Sequence, residues 1–381
     1  MSADLAQATG SNPEAVTAGS PEYPEPPAMV RGTTGNRETS GHKGWAGFSW
    51  GGETMGTTYR IRIAGPETAR DPVDELPHEV SRRLEAINDQ MSHYLPGSEL
   101  SRFNRLGPGI PFPVSRDFAS VMDYSLGLHR RSGGVFDPAL GSLIDAWGFG
   151  PARAQEPIEA PQLPARREKV GADLLGWSEH RYLRKQVDSV NLNLSAVAKG
   201  YAVDAVVDLL SQRGWENILV EIGGELAVRG QNPSVRAWQV GVRSPAGSFM
   251  EGADLAAVVT LDHGALATSG NSENFHVNDQ GERLSHLIDP RSLRPVTRPS
   301  FSVTVWSTNC LDADGLATTL SVMGPETGNA WLKANSTAEA LWVQVRPDRS
   351  LGFLATEGFP EWRKVKPDVT AGRPGFLGER K

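Results

Sequence analysis

Asp314 and Thr318 stand four residues apart in the run from Asn309 to Met323, NCLDADGLATTLSVM, whose pattern predicts a helix. Positions i and i+4 share a helix face, so a carboxylate and a hydroxyl point the same way. Both are hard oxygen donors suited to Mg2+, with Ca2+ as a second candidate. A plainer reading has Asp312 capping the helix, Asp314 sitting in a first turn that favours negative charge, and Thr318 packing. Four further segments bear on that choice.

In NLNLSAVAKGYAVDAVVDLL, residues Ala202, Ala205, Val206, Leu209 and Leu210 recur at helical spacing, with Asp204 and Asp208 off the stripe. The predicted helix begins close to Ser195 and carries Lys199 in its first turn. Free N–H groups, the positive end of the dipole and a lysine together suit a phosphate or pyrophosphate. The phosphate loop GxxxxGK[ST] is absent, and WGFGPAR lacks the third glycine of a dinucleotide fingerprint. His286 precedes the Asp-Pro turn of LSHLIDPRSLRPV, where a neutral imidazole can act as general base or serve as a hydrogen-bonded structural group. TMGTTY, MSHYLPGSELSRFN and GGVFDPALGSLIDAWGFGP place Met and aromatic side chains on loops, where they sandwich a planar ring or fill a core.

Taken in order, these blocks with LVEIGGELAVRG and ATSGNSENF resemble the ApbE family of FAD:protein FMN transferases, from about Gly51 to Gly358. The resemblance implies a reaction in which FAD is split at its pyrophosphate. The FMN half is joined through a phosphoester to a Ser or Thr of an acceptor flavoprotein, and AMP is released. It also implies a metal site made of Asp314, Thr318 and the backbone oxygen of Ala196. Flavin or FAD contacts would come from Met55, Tyr94, Val135, Phe136, Asp137, Asn193 and Ile288, with Lys199 facing the phosphates and His286 as base. Three positions depart from the family pattern. Asn193 replaces the usual Asp, Gly315 the usual Ala, and Leu293-Arg294 stands where Gly is common.

The elements that must position these residues mix helices and strands. Pro77 opens a predicted helix with Val80, Leu84, Ile87 and Met91 on one stripe, and Ser115 caps another that ends at Gly133-Gly134. Strand-like runs occur at NILVEI, WQVGV, AAVVTL, FSVTVW and LWVQV, with Gly223-Gly224 predicting a hairpin. Several follow one another without intervening helices, which argues against a doubly wound sheet and for an α+β fold. The resemblance implies the same: a T-fold-related, antiparallel-rich arrangement forming one intertwined catalytic unit over residues 45–366.

Residues 1–44 are rich in Ser, Thr, Pro, Gly, Ala and Glu and are expected to be disordered, as is the tail 367–381; ARAQEPIEAPQLPARRE reads as a surface loop. The 381 residues, 39% apolar and 22% charged, suit a folded enzyme, and a net charge of −7 argues against general nucleic-acid binding. No basic segment leads into an apolar stretch at the N-terminus, no lipobox cysteine is present and no run reaches transmembrane length, so the cytoplasm is the expected compartment. The sole cysteine, Cys310, offers no disulfide within the chain. Three function classes fit: FMN transfer to protein, Mg2+-dependent FAD pyrophosphate hydrolysis at the same site, and flavin binding without chemistry. Joint presence of Asp314, Thr318, Lys199 and His286 argues against the last.

Overall fold

The computed structural model describes residues 36–39, 44–66, 73–151, 163–178, 180–245, 255–271, 275–277, 283–298 and 301–365. Nine strands form one sheet in the order Asn36–Thr39, Trp45–Thr54, Thr57–Pro66, Asn217–Ile222, Glu225–Arg229, His263–Gly270, Phe301–Ser307, Glu339–Val345 and Leu351–Ala355. Every neighbouring pair is antiparallel. The sheet draws strands from nearly the whole described chain, as the expected single α+β unit requires.

Alternation along the strands divides the apolar residues between two faces. Ala227, Ala265, Ala267, Ala340 and Trp342 join the large core beneath the helices. Leu226, Val228, Leu266, Leu341 and Val343 join a second core. That second core is closed by a three-stranded sheet of Trp238–Arg243, Leu255–Leu261 and Trp362–Lys364. Burial on both faces explains why the central strands read as almost continuous apolar runs.

The helix Leu76–Met91 buries Val80, Leu84, Ile87 and Met91, the predicted stripe. Ser115 caps Arg116–Arg131 by accepting from the Phe118 N–H at 3.4 Å, and Gly133 and Gly134 follow at positive φ. Gly223 and Gly224, with φ of 58° and 102°, turn Asn217–Ile222 back into Glu225–Arg229. Two boundaries differ from expectation. Asn36–Thr39, inside the segment expected to be disordered, pairs with Ala46–Ser49 through its backbone. Leu163–Arg167, at the end of the predicted surface loop, forms a short helix anchored by buried Leu163. The remaining expectations for residues 1–35, 40–43, 152–162 and 366–381 lie outside the described residues.

Candidate active site

The helices Ala198–Gln212 and Cys310–Met323 cap each other. A helix leaves its first N–H groups without internal partners. Here the Asp204 carboxylate accepts from the Cys310 and Leu311 N–H groups, both at 2.8 Å. In return, Asp314 Oδ2 accepts from the Gly200 N–H at 3.0 Å. Each carboxylate thus sits at the positive end of the other helix. Asn309 caps its own helix, accepting from the Asp312 N–H at 2.8 Å. That corrects the plainer reading: Asp312 is not the cap, and its carboxylate accepts instead from Ser307 Oγ at 2.8 Å and Tyr124 Oη at 3.0 Å. At the other end, the Arg298 guanidinium donates to the carbonyls of Ser321, Val322 and Met323.

Such close contact requires a residue without a side chain at Gly200, where a Cβ would come within 2.4 Å of the Cys310 carbonyl oxygen and 2.8 Å of Asp314 Cβ. Gly315, the departure from the usual Ala, has a local reason as well. A Cβ there would lie 2.7 Å from the Tyr124 ring, which fills the space.

Asp314 is 3% exposed, and burial raises its pKa to about 6 against the opposing pull of Lys199 and the Gly200 N–H. Burial likewise raises Asp204 to about 6 despite its two N–H donors. Lys199 Nζ lies 3.0 Å from Glu225 Oε2. Burial works against the Lys199 charge, but the carboxylates of Glu225 and Asp314 outweigh it and raise the pKa. Burial pushes the Glu225 carboxyl up and Asp314 adds to the rise, while the Lys199 ammonium opposes both.

A cavity of about 1900 Å³ opens over these groups. Pockets for drug-sized ligands run to about 1,000 Å³, so this one has room for a dinucleotide and a protein side chain. Asp314, Thr318, Ala196, Lys199, Asn193, Tyr94, Val135, Phe136, Asp137, His286 and Ile288 all border it. Met55 does not. It occupies the tip of the Thr54–Thr57 turn at φ 49° and packs against the large core, while Thr57 and Thr58 border the cavity.

Several predicted contacts have structural partners. The Asp137 carboxylate accepts from the Ala139 and Ala172 N–H groups at 2.8 and 3.1 Å, and burial raises its pKa. Asn193 Oδ1 accepts from the Ser195 N–H at 3.0 Å, a turn that an Asp would make equally well. Thr318 Oγ1 is 3.3 Å from Ser269 Oγ. The His286 ring meets Phe149 edge-on at 6.4 Å between centroids. His93, not predicted, meets the Tyr94 ring at 4.1 Å between centroids and a tilt of 40°, and places Nδ1 3.4 Å from Ser195 Oγ; burial lowers its pKa to about 4.

The family model described as "ApbE family" matches residues 55–342. The chain belongs to the ApbE family. The FAD:protein FMN transferase of Vibrio cholerae serotype O1 is 39% identical over 286 residues, 74% of this chain and 84% of that one. The FAD:protein FMN transferase of Escherichia coli K12 is 36% identical over 281 residues, 72% and 78% of the two chains. Among solved structures, the flavin transferase ApbE from Vibrio cholerae superimposes with a TM-score of 0.73 at 36% identity, covering 82% of this chain and 98% of that one. The Pseudomonas stutzeri flavinyl transferase ApbE in its apo form gives 0.72 at 31% identity, covering 85% and 96%.

The ApbE residues present here suit a hard divalent cation. Asp314 offers a buried carboxylate with one backbone donor, and Thr318 offers a hydroxyl one turn on. The Gly200 N–H, which an extra helical turn would direct to the Ala196 carbonyl, goes to Asp314. Among the described residues the Ala196 oxygen then accepts no backbone hydrogen bond. No group of three His, Cys, Asp or Glu gathers among the described residues. Such a site therefore depends on mixed oxygen donors. Glu225, which borders the cavity, was not singled out by the sequence; its signal was an acid directly after Gly-Gly and ahead of the apolar run Leu226–Val228.

Proposed function

We propose that this chain transfers FMN from FAD to a Ser or Thr hydroxyl of an acceptor flavoprotein, with Mg2+ at Asp314, Thr318 and the Ala196 carbonyl. The observation that carries the reading is the convergence of Asp314, Thr318, Lys199 and His286 on one cavity. A bound divalent cation would supply neutralisation of pyrophosphate charge.

The chain's own groups do the rest. Tyr94, Val135, Phe136 and Ile288 offer an apolar slot for the flavin ring, and Lys199, fixed by Glu225, holds a positive charge toward the phosphates. The acceptor hydroxyl oxygen bonds to the phosphorus of the FMN half while the bond from that phosphorus to the bridging oxygen breaks. AMP leaves with the bridging oxygen, and His286 takes the hydroxyl proton.

The test is incubation with FAD, Mg2+ and a candidate acceptor, followed by mass measurement. The expected result is an acceptor heavier by FMN less one water, with an equal amount of AMP. Free FMN and AMP with every acceptor unmodified would make water the nucleophile and the protein a FAD pyrophosphatase.

A further inference from the structure

One half-buried ammonium, Lys199, shares the cavity with two buried carboxylates, Glu225 and Asp314. Glu225 is 4% exposed and Asp314 is 3% exposed, so neither is dissolved in water. An ammonium in such surroundings pairs closely with a carboxylate, because leaving either charge unpaired is costly. Lys199 stands nearest Glu225, with Nζ 3.0 Å from Oε2 in an ion-pair contact that is not aligned as a hydrogen bond. Asp314 is left with the Gly200 N–H on Oδ2 and, among the described residues, no hydrogen bond on Oδ1. That placement is built into the fold. Gly223 and Gly224 at positive φ make the turn that delivers Glu225 to the strand's first position, and a Cβ at Gly223 would strike Thr57 Cγ2 at 2.7 Å.

We propose that Glu225 is a positioning residue: by engaging the Lys199 ammonium it prevents that ammonium from neutralising Asp314, and so keeps the Asp314 carboxylate available to a divalent cation. This rests on the reading of Asp314 as a cation ligand. Without the Glu225 charge, Asp314 is the carboxylate that remains to attract Lys199, and a protein ammonium then competes with the metal. A purely structural ion pair would behave differently. Its loss would cost stability but would not tie cation affinity to the presence of Lys199.

The test uses Mn2+ alone, with no flavin, titrated into the full chain and read by its electron paramagnetic signal. Asp314→Asn should abolish binding at this site. Glu225→Gln, which keeps shape and removes charge, should weaken Mn2+ binding by at least about tenfold. Adding Lys199→Met to Glu225→Gln removes the competitor and should restore affinity to within about threefold of native. Native affinity in Glu225→Gln, or a double variant as weak as the single one, would overturn the proposal. If Glu225→Gln fails to fold, Lys199→Met alone decides: affinity equal to or tighter than native is expected, and weaker binding overturns the idea. Native Mn2+ binding that does not depend on Asp314 would instead defeat the metal reading itself.

Discussion

Replacing Asp314 by Asn tests the electrostatics of the site in the absence of any ligand. Asn retains a carbonyl oxygen for the Gly200 N–H and removes the buried charge. Raised from 3.8 to about 6, the native carboxyl carries roughly 3 kcal/mol of penalty against its ionised form. The sign follows from linkage. Between about pH 4 and pH 6 the folded state holds a proton that the unfolded chain has released, so stability from this group is lost as pH rises through that window. In urea denaturation without metal, native and Asp314→Asn proteins should therefore be nearly equal at about pH 4. The variant should become more stable by about 1–3 kcal/mol at about pH 7. Mg2+ should reverse the order near neutrality by stabilising only the native protein, and that stabilisation should fade below about pH 6 as protons compete for Asp314. A variant less stable than native at neutral pH without metal would refute the reasoning, since it would mean that the charge is compensated within the protein.

Gly200→Ala should separate the two reciprocally capped helices and cost about 3 kcal/mol or more in urea denaturation, with loss of Mg2+-dependent stabilisation. Asn193→Asp should leave the protein active and change FAD affinity by no more than about tenfold, or 1.4 kcal/mol, measured by flavin fluorescence; an inactive native protein rescued by this change would point to flavin binding without transfer. His286→Asn should lower the transfer rate more than FAD affinity, and parallel loss of both in single-turnover and binding measurements would make His286 a binding residue. Leu293 lies at φ 61° yet is 3% exposed and packed with Leu140, Leu143 and Ile288. There Leu293→Gly should recover about 1–2 kcal/mol of backbone strain, lose more than that in packing, and leave a net destabilisation of about 1–3 kcal/mol.

Local pattern carried much of the fold. The stripe of Val80, Leu84, Ile87 and Met91 became a buried helix face, and the Gly223-Gly224 hairpin formed where its residues require it. What stayed hidden was set by partners distant in sequence. Asp204 read only as a residue off the apolar stripe, yet its carboxylate accepts from N–H groups more than a hundred positions away. Asp137, in a loop that the family resemblance assigns to flavin, spends its carboxylate on two backbone donors, one of them from a later segment. Asn36–Thr39 lacks the apolar content that marks a strand, and gains its place through backbone pairing with Ala46–Ser49. Periodicity reports which face a residue occupies but not which atom waits across from it. Sequence spacing therefore identified Asp314, Thr318 and Lys199 as candidates, while Glu225, the lysine's actual partner, emerged only in three dimensions.

The reciprocal caps make the site a seam between two chain halves. Cut anywhere between Gln212 and Asn309, the polypeptide yields one fragment holding Lys199 and Asp204, and another holding Asp314 with the N–H groups that Asp204 satisfies. Each fragment then lacks the carboxylate that accepts from N–H groups at the start of its own helix, Asp314 for Gly200 and Asp204 for Cys310 and Leu311. Because loop closure across so long a separation precedes any return in contacts, the seam is expected to form late in folding. If Asp314 and Thr318 hold a cation as proposed, a chain that has not completed its sheet would have no site to load, and cation binding would report the completion of folding.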